Sequence, residues 1–145
     1  MSDFDKVRRI LDATHTIAIV GASDRSERDS YRVMQYLLKH GFHVLPVNPN
    51  ARQILGQRSF GSIDEIGEPI DTVVCFRRSE YLEPIARSAV AAHAKHLWMQ
   101  FGVINERAAE VAEKAGLVVV MDRCIMVDHR RIEGEKALDE PQRAP

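Results

Sequence analysis

The stretch Thr16–Ser30 reads TIAIVGASDRSERDS and decides how the chain folds. Residues 17–20 are all apolar, which predicts a strand buried on both faces, as in a parallel sheet. Gly21 ends this strand, small residues follow, and an amphipathic helical segment is expected from Tyr31 to His40. A strand, a glycine turn and a helix start together favour phosphate binding, because a helix N-terminus offers free N–H groups and the positive end of its dipole.

Length and composition indicate one globular domain. The chain has 145 residues, of which 45% are hydrophobic and 28% charged, enough to bury a single core. Its net charge of −1 argues against an extended nucleic-acid surface. No run reaches the length of a membrane span, and Cys75 and Cys124 lack the spacing of a metal site. We therefore expect a cytoplasmic protein with reduced thiols that binds neither nucleic acid nor membranes, with its oligomeric state left open.

Apolar segments alternate with helical patterns along the rest of the chain. Further strands are predicted at 42–47, 71–76, 95–101 and 117–121, with a short one at 58–60, and helices at 3–11, 81–92 and 106–115. This alternation predicts an α/β, Rossmann-like, doubly wound fold. Its mostly parallel sheet would have five to six strands in the order 3-2-1-4-5-6, with helices on both faces. We expect a single domain over residues 1–133, which includes the N-terminal helix, and a flexible tail over 134–145.

The first loop carries two arginines, Arg25 and Arg28, just before the predicted helix. A cation at that place opposes the helix dipole unless an anion is bound, so the two arginines favour an anionic ligand. A solvated loop is the alternative, because the charges of DRSERD neutralise one another. Ser30 fits equally well as the N-cap of the helix.

The end of the second strand distinguishes between nucleotides. NAD-binding Rossmann domains place an acidic residue there, which binds the ribose hydroxyls. This chain has Asn48 and Pro49 instead, followed by Arg52, which could suit a ribose phosphate. Ordinary turn chemistry explains the Asn-Pro pair equally well.

Six short blocks, read in chain order, resemble one known family. They are VGAS (20–23), R-x-S (28–30), PVNP (46–49), FRR (76–78), WMQFGV (98–103) and MDRC (121–124). Together they resemble the small single-domain coenzyme A-binding proteins, which are related to the coenzyme A-binding domain of the succinyl-CoA synthetase α subunit. The resemblance implies that coenzyme A or an acyl-CoA is held across the C-terminal edge of the sheet, without catalytic residues or a metal.

The resemblance also implies which residues contact the cofactor. Those expected at the pyrophosphate and a further phosphate are Gly21, Ala22, Ser23, Arg28 and Ser30. Along the adenosine side it implies Asn48 and Pro49. Bordering the nucleotide or pantetheine path it implies Phe76, Arg77 and Arg78, and facing the pantetheine arm Gln100 and Gly102. The roles of Arg25 and Arg52 are left open.

Other functions stay open at this point. An NAD(P)-binding sensor or redox protein would use the same first turn, although the glycine motif is incomplete and the ribose-binding acid is missing. The coenzyme A-binding part of a multi-chain acyl-CoA ligase would need a partner to supply the phosphorylated histidine. Arg123 beside Cys124 gives an electropositive setting for a thiol, so a mixed disulfide between Cys124 and coenzyme A is a further alternative.

Overall fold

The computed structural model describes residues 2–139. Its helices are α1 (Asp3–Asp12), α2 (Asp29–Lys39), α3 (Leu82–Ala91), α4 (Glu106–Lys114) and α5 (Ile125–Asp139). Its strands are β1 (Thr16–Val20), β2 (His43–Val47), β3 (Gln53–Ile54), β4 (Gln57–Arg58), β5 (Thr72–Cys75), β6 (His96–Met99) and β7 (Val118–Val120). None of the helices in this part of the chain is long and apolar enough to cross a membrane.

Five strands form a parallel sheet in the order β2-β1-β5-β6-β7. The predicted α/β, Rossmann-like fold is therefore confirmed. The outermost strand of the predicted order is reduced to a single parallel bridge between Val47 and Phe60. There the Phe60 amide donates to the Pro46 carbonyl at 2.9 Å, and the Asn48 amide donates to the Phe60 carbonyl at 2.8 Å. The segment just before this bridge forms a small antiparallel hairpin from β3 and β4.

The sheet is buried on both faces, which explains why its strands are continuously apolar. Ile17 and Ile19 of β1 point towards α1, α2 and α5, whereas Ala18 and Val20 point towards α3 and α4. The face covered by α3 and α4 is lined by small helical side chains, and the opposite face holds the fully buried Trp98. Helices thus cover both faces and leave the strand ends to the loops.

Helix α5 was not predicted. It continues past Gly134, where the sequence predicted a flexible tail, and ends at Asp139, while residues 140–145 lie outside the described part of the chain. The segment is rich in charged residues and lacks a clear apolar stripe. Contacts with distant residues hold it instead: Ile125 and Ile132 are buried in the core, and ion pairs join Arg8 to Glu135 and Lys136 to Asp12. Long-range contacts of this kind are invisible to a local pattern.

Helix α2 begins two residues earlier than expected. Its N-cap is Arg28, in an extended conformation, and Ser30 is the second helical residue and buried. The prediction of Ser30 as N-cap is therefore wrong. Asp29 takes the first helical position, where a negative side chain interacts favourably with the helix dipole. The helix thus starts at the mouth of the loop after β1.

Gly21 follows β1, where the strand order of the sheet reverses: β2 lies on one side of β1, and β5 and the later strands lie on the other. Its φ is +85°, and a Cβ there would lie 3.0 Å from the carbonyl carbon of Phe76. On that side the Phe76 amide donates to the Val20 carbonyl at 2.8 Å, and on the β2 side the Gly21 amide donates to the Val47 carbonyl at 3.2 Å. Only glycine fits both the backbone angle and the space. In open α/β sheets ligands bind at this reversal, beyond the carboxyl ends of the strands.

Replacing Gly21 with alanine is expected to destabilise the fold through two effects. The left-handed backbone alone costs about 1–2 kcal/mol for a residue with a Cβ. The close contact with the Phe76 backbone adds roughly 1–3 kcal/mol, a typical overpacking cost.

Gly41→Ala is the matched control, because Gly41 has the same φ of +85° and nothing within 4 Å of the added Cβ. Urea unfolding should show a clearly larger loss of stability for Gly21→Ala than for Gly41→Ala. Equal losses would mean that the contact with Phe76 does not constrain the turn.

Candidate functional site

Two cavities of about 590 Å³ each adjoin at the C-terminal edge of the sheet. Both are lined by Phe76 and Asp29, so they form one groove across the point where the strand order reverses. We call the cavity over β1 and β2 the polar lobe; its other lining residues are Gly21, Ser23, Asp24, Arg25, Arg28, Ser30, Asn48 and Asn50. We call the cavity beside α5 the apolar lobe; its other lining residues are Arg32, Val33, Gln100, Phe101, Asp122, Arg123, Cys124, Met126, Val127 and Asp128.

The polar lobe is built on the start of α2. None of the described side chains caps this helix, so its first amides and the positive end of its dipole are left to face the lobe. Arg25 and Arg28 are exposed there, and the Ser23 hydroxyl accepts a hydrogen bond from the Arg25 amide at 3.1 Å, which shapes the turn. The carboxylate of Asp29 is paired with Arg32. The lobe therefore offers backbone donors and two free guanidinium groups to an anion.

Asn48 braces the floor of the polar lobe. Its Nδ2 donates to the Ala22 carbonyl at 2.8 Å, and its Oδ1 accepts from the Asn50 amide at 2.8 Å. Ala22 itself is buried. The Asn48 side chain thus ties the loop after β1 to the loop after β2.

The loop after β5 contributes one of its three candidate residues to the groove. Phe76 is half-buried and stands between the two lobes. Arg77 instead lies over the Tyr81 ring, 4.8 Å from its centre. Arg78 is exposed, with Glu80 at 4.0 Å, and neither arginine lines the groove.

Gln100 lies at the inner end of the apolar lobe and is only 4% exposed. Its Oε1 accepts from the Ile125 amide at 3.0 Å and so caps the start of α5. Because this bond fixes the orientation of the carboxamide, the Nε2 group is the end left to face the lobe.

Gly102 and Asp122 lock the two loops that frame the apolar lobe. The Gly102 amide donates to Asp122 Oδ1 at 2.8 Å, so Gly102 serves the site through its backbone. Asp122 has a φ of +60°, which is uncommon for a residue with a side chain. Phe101 precedes Gly102 in the loop after β6; it is 79% exposed and lies at the rim of the lobe. The loop sequence places an apolar ring where a ligand can reach it.

The Arg123 guanidinium donates two hydrogen bonds to the Asp128 carboxylate, at 2.7 and 3.0 Å. These bonds raise the pKa of the Arg123 guanidinium, and Asp128 is itself buried. The Arg123 carbonyl also accepts from Trp98 Nε1 at 2.8 Å. The pair is electrically neutral overall, so the electropositive setting expected for the half-buried Cys124 is absent.

The predicted residues divide by their place relative to the groove. Those that line it are Gly21, Ser23, Arg28, Ser30, Asn48, Phe76 and Gln100. Those that do not are Ala22, Pro49, Arg77, Arg78 and Gly102. Arg25 also lines the polar lobe, whereas Arg52 lies beside Arg58 at the β3–β4 hairpin.

Sequence reasoning missed the contribution of α5 to the apolar lobe. Met126, Val127 and Asp128 belong to the first turn of the unpredicted helix. The MDRC block quoted above does contain Asp122 and Arg123, but their spacing gave no sign of the contacts with Gly102 and Asp128.

Comparison with known proteins supplies the family. A family model described as "CoA binding domain" matches residues 15–130. The chain belongs to the CoA-binding domain family. The segment matched in this family includes β1 to β7 and the start of α5, and therefore both lobes of the groove.

Individual relatives and solved structures that resemble this protein cover most of its chain. The uncharacterised protein YneT of Bacillus subtilis (strain 168) is 39% identical over 124 residues, or 86% of this chain and 92% of YneT. The crystal structure of Prb, described as the PH1109 protein redesigned for binding, has a TM-score of 0.89 and 39% identity, and covers 97% of both chains. A hypothetical protein from Pyrococcus horikoshii OT3 has a TM-score of 0.88 and 38% identity, over 92% of this chain and 94% of that one.

The same fold also occurs within a larger enzyme. A dinucleotide-forming acetyl-coenzyme A synthetase of Ca. Korarchaeum cryptofilum shares it, with a TM-score of 0.66 and 20% identity. The match covers 72% of this chain and 25% of the synthetase. At that identity the likeness concerns the fold alone.

The bond between Gly102 and Asp122 predicts a local effect on the groove. In Asp122→Gly the strained φ is relieved and the acceptor is lost, so amide hydrogen exchange at Gly102 should accelerate by about tenfold, as for the loss of a bond worth about 1–1.5 kcal/mol. Asp122→Asn keeps both the acceptor and a tolerance for positive φ, so it should leave that exchange rate close to the native one. Unchanged protection in Asp122→Gly would show that the two loops are held by other contacts.

Proposed function

We propose that the protein binds coenzyme A or an acyl-CoA in the groove and holds it without chemical conversion. Membership of the CoA-binding domain family supports this proposal. The observation that carries it is the joining of the two lobes at Phe76: a polar lobe with anion-binding groups continues into an apolar one. Coenzyme A has the same division, since a phosphorylated nucleotide continues into the mostly apolar pantetheine arm.

The polar lobe would take the phosphates. The first amides of α2 donate along the helix axis, and Arg25 and Arg28 add charge where the ligand would enter. Hydrogen bonds between ionised partners are stronger than neutral ones and contribute about 1.5–3 kcal/mol each. Gly21, which has no side chain, would let a phosphate approach the backbone closely.

The apolar lobe would take the pantetheine arm. Phe76, Val33 and Met126 offer apolar contact to its methylene and methyl groups. Gln100 Nε2 would donate to one of the two amide carbonyls of the arm, because its Oε1 is already engaged by Ile125. A pocket lined by apolar side chains with one fixed polar group is a common design for binding a cofactor with a defined orientation.

The bonds of Asn48 weigh against an NAD(P)-binding function. Residue 48 holds the place of the acid that binds the ribose hydroxyls in NAD-binding Rossmann domains. Both ends of its carboxamide are already used, by Ala22 and Asn50. The side chain therefore has a bracing role, and the one lone pair left on Oδ1 does not replace the two carboxylate oxygens that bind a ribose diol.

The groove also lacks a set of residues suited to catalysis. Among the described residues that line it there is no histidine. Of its acids, Asp29 and Asp128 are paired with Arg32 and Arg123, Asp122 accepts from the Gly102 amide, and Asp24 is exposed. Within residues 2–139 no three His, Cys, Asp or Glu side chains are grouped as metal ligands. Binding without conversion is the function that this lining favours. Copurification of a larger catalytic subunit would instead favour the role of a ligase component.

Isothermal titration with coenzyme A, NAD and NADP tests the proposal. We expect coenzyme A to bind, and NAD and NADP to bind at least about tenfold more weakly. A tenfold difference in Kd corresponds to about 1.4 kcal/mol of binding free energy. Arg28→Ala should weaken coenzyme A binding by about tenfold or more, through loss of a charge-assisted contact.

Arg52→Ala is the matched control, because it removes the same charge from the hairpin outside the groove. It should leave the affinity within about twofold of the native value, as expected for a distant exposed charge. Tight dinucleotide binding without coenzyme A binding would contradict the proposal. Equal effects of the two substitutions would contradict the assignment of the phosphates to the start of α2.

A further inference from the structure

We propose that Cys124 is a covalent attachment point at which the thiol end of a coenzyme A-type ligand is held as a mixed disulfide. This inference rests on the proposed function, since it requires the pantetheine arm to lie in the apolar lobe. Its chemistry is thiol–disulfide exchange with a disulfide of the ligand. It adds a modification site to a groove that otherwise only binds.

The position of Cys124 is the first support. It lies between β7 and α5, lines the apolar lobe and is half-buried, so its sulfur can be reached from the groove. Like Phe76 and Met126, which also line that lobe, it packs against the core on this face of the sheet. The next residue, Ile125, is tied to Gln100 by the 3.0 Å bond that starts α5. The thiol is therefore fixed close to the carboxamide of Gln100.

Gln100 supplies a second, independent sign of a ligand. The residue is only 4% exposed, and none of residues 2–139 accepts a hydrogen bond from its Nε2 group. No fully buried side-chain nitrogen or oxygen of these residues lacks a partner, so Nε2 reaches the open space of the lobe, where it can donate to an acceptor that comes from outside the chain. An amide carbonyl of the pantetheine arm is such an acceptor. With the arm held there, its terminal sulfur lies towards Cys124.

The exchange balances without a further oxidant. The Cys124 thiolate attacks one sulfur of a coenzyme A-containing disulfide, the new sulfur–sulfur bond forms as the old one breaks, and the other half leaves as a thiolate that takes up a proton. Cys124 is thereby oxidised and the departing thiol is reduced. A thiol reductant reverses the step by the same route.

Selectivity would come from binding and not from an unusually reactive thiol. The guanidinium next to Cys124, that of Arg123, is neutralised by Asp128. A bound ligand instead raises the effective concentration of its disulfide at the sulfur of Cys124. Disulfides that do not fit the groove should react slowly. Cys75 provides an internal contrast, because it is fully buried and its burial raises the pKa of its thiol.

The test follows adduct formation by intact-protein mass spectrometry after mixing with coenzyme A disulfide or with glutathione disulfide. We expect one coenzyme A adduct per chain, formed about tenfold or more faster than the glutathione adduct, and fully removed by dithiothreitol. Cys124→Ser should give no adduct, and Cys75→Ser should react as the native protein does. Gln100→Glu keeps the acceptor for Ile125 but removes the donor, so it should slow the coenzyme A reaction towards the glutathione rate.

Titration of Cys124→Ser with reduced coenzyme A separates the two proposals. If this variant binds coenzyme A but the native protein forms adducts equally fast with both disulfides, or none at all, the covalent site is refuted and the binding function stands. An adduct that persists in Cys124→Ser also refutes it. If no form of the protein binds coenzyme A, both proposals fail.

Discussion

The close approach of Gly21 to the backbone of Phe76 is the contact on which the groove depends. It brings the loop after β1 against the loop after β5 with no side chain between them, at 3.0 Å from where a Cβ would stand. Because the strand order reverses there, the chain leaves the sheet in opposite directions on the two sides. The resulting groove has the start of α2 on one side and α5 on the other, and Phe76 stands at its centre.

Side-chain hydrogen bonds to the backbone hold the walls of this groove. Asn48 ties the first two loops together, Asp122 holds the Gly102 amide, and Gln100 caps α5. Each of these side chains therefore has a structural task, including two that the family resemblance assigns to the ligand. Each end of the Asn48 carboxamide already makes one hydrogen bond within the protein, whereas the Nε2 group of Gln100 makes none to residues 2–139. This difference explains why we assign ligand contact to Gln100 and only a bracing role to the Asn48 side chain.

The sheet could be predicted from the sequence because strands buried on both faces are continuously apolar, as 17–20 and 72–75 are. The start of α2 and the whole of α5 could not be predicted in the same way. Ser30 and Arg28 are both compatible with a helix start, and the choice depends on the turn that places Asp29 first. Helix α5 is held by contacts with distant parts of the chain: Ile125 and Ile132 are buried in the core, and Arg8 pairs with Glu135, more than a hundred positions away. The far wall of the apolar lobe was not predicted either, because that wall belongs to α5.

The most direct test of the account is a crystal structure of the protein with coenzyme A. The account predicts phosphate oxygens within hydrogen-bonding distance of the first amides of α2, and the pantetheine arm running past Phe76 to Gln100. Coenzyme A bound away from the groove, for example at the arginines of the β3–β4 hairpin, would contradict it. A ligand confined to the polar lobe, with its arm directed into solvent, would contradict the role given to the apolar lobe.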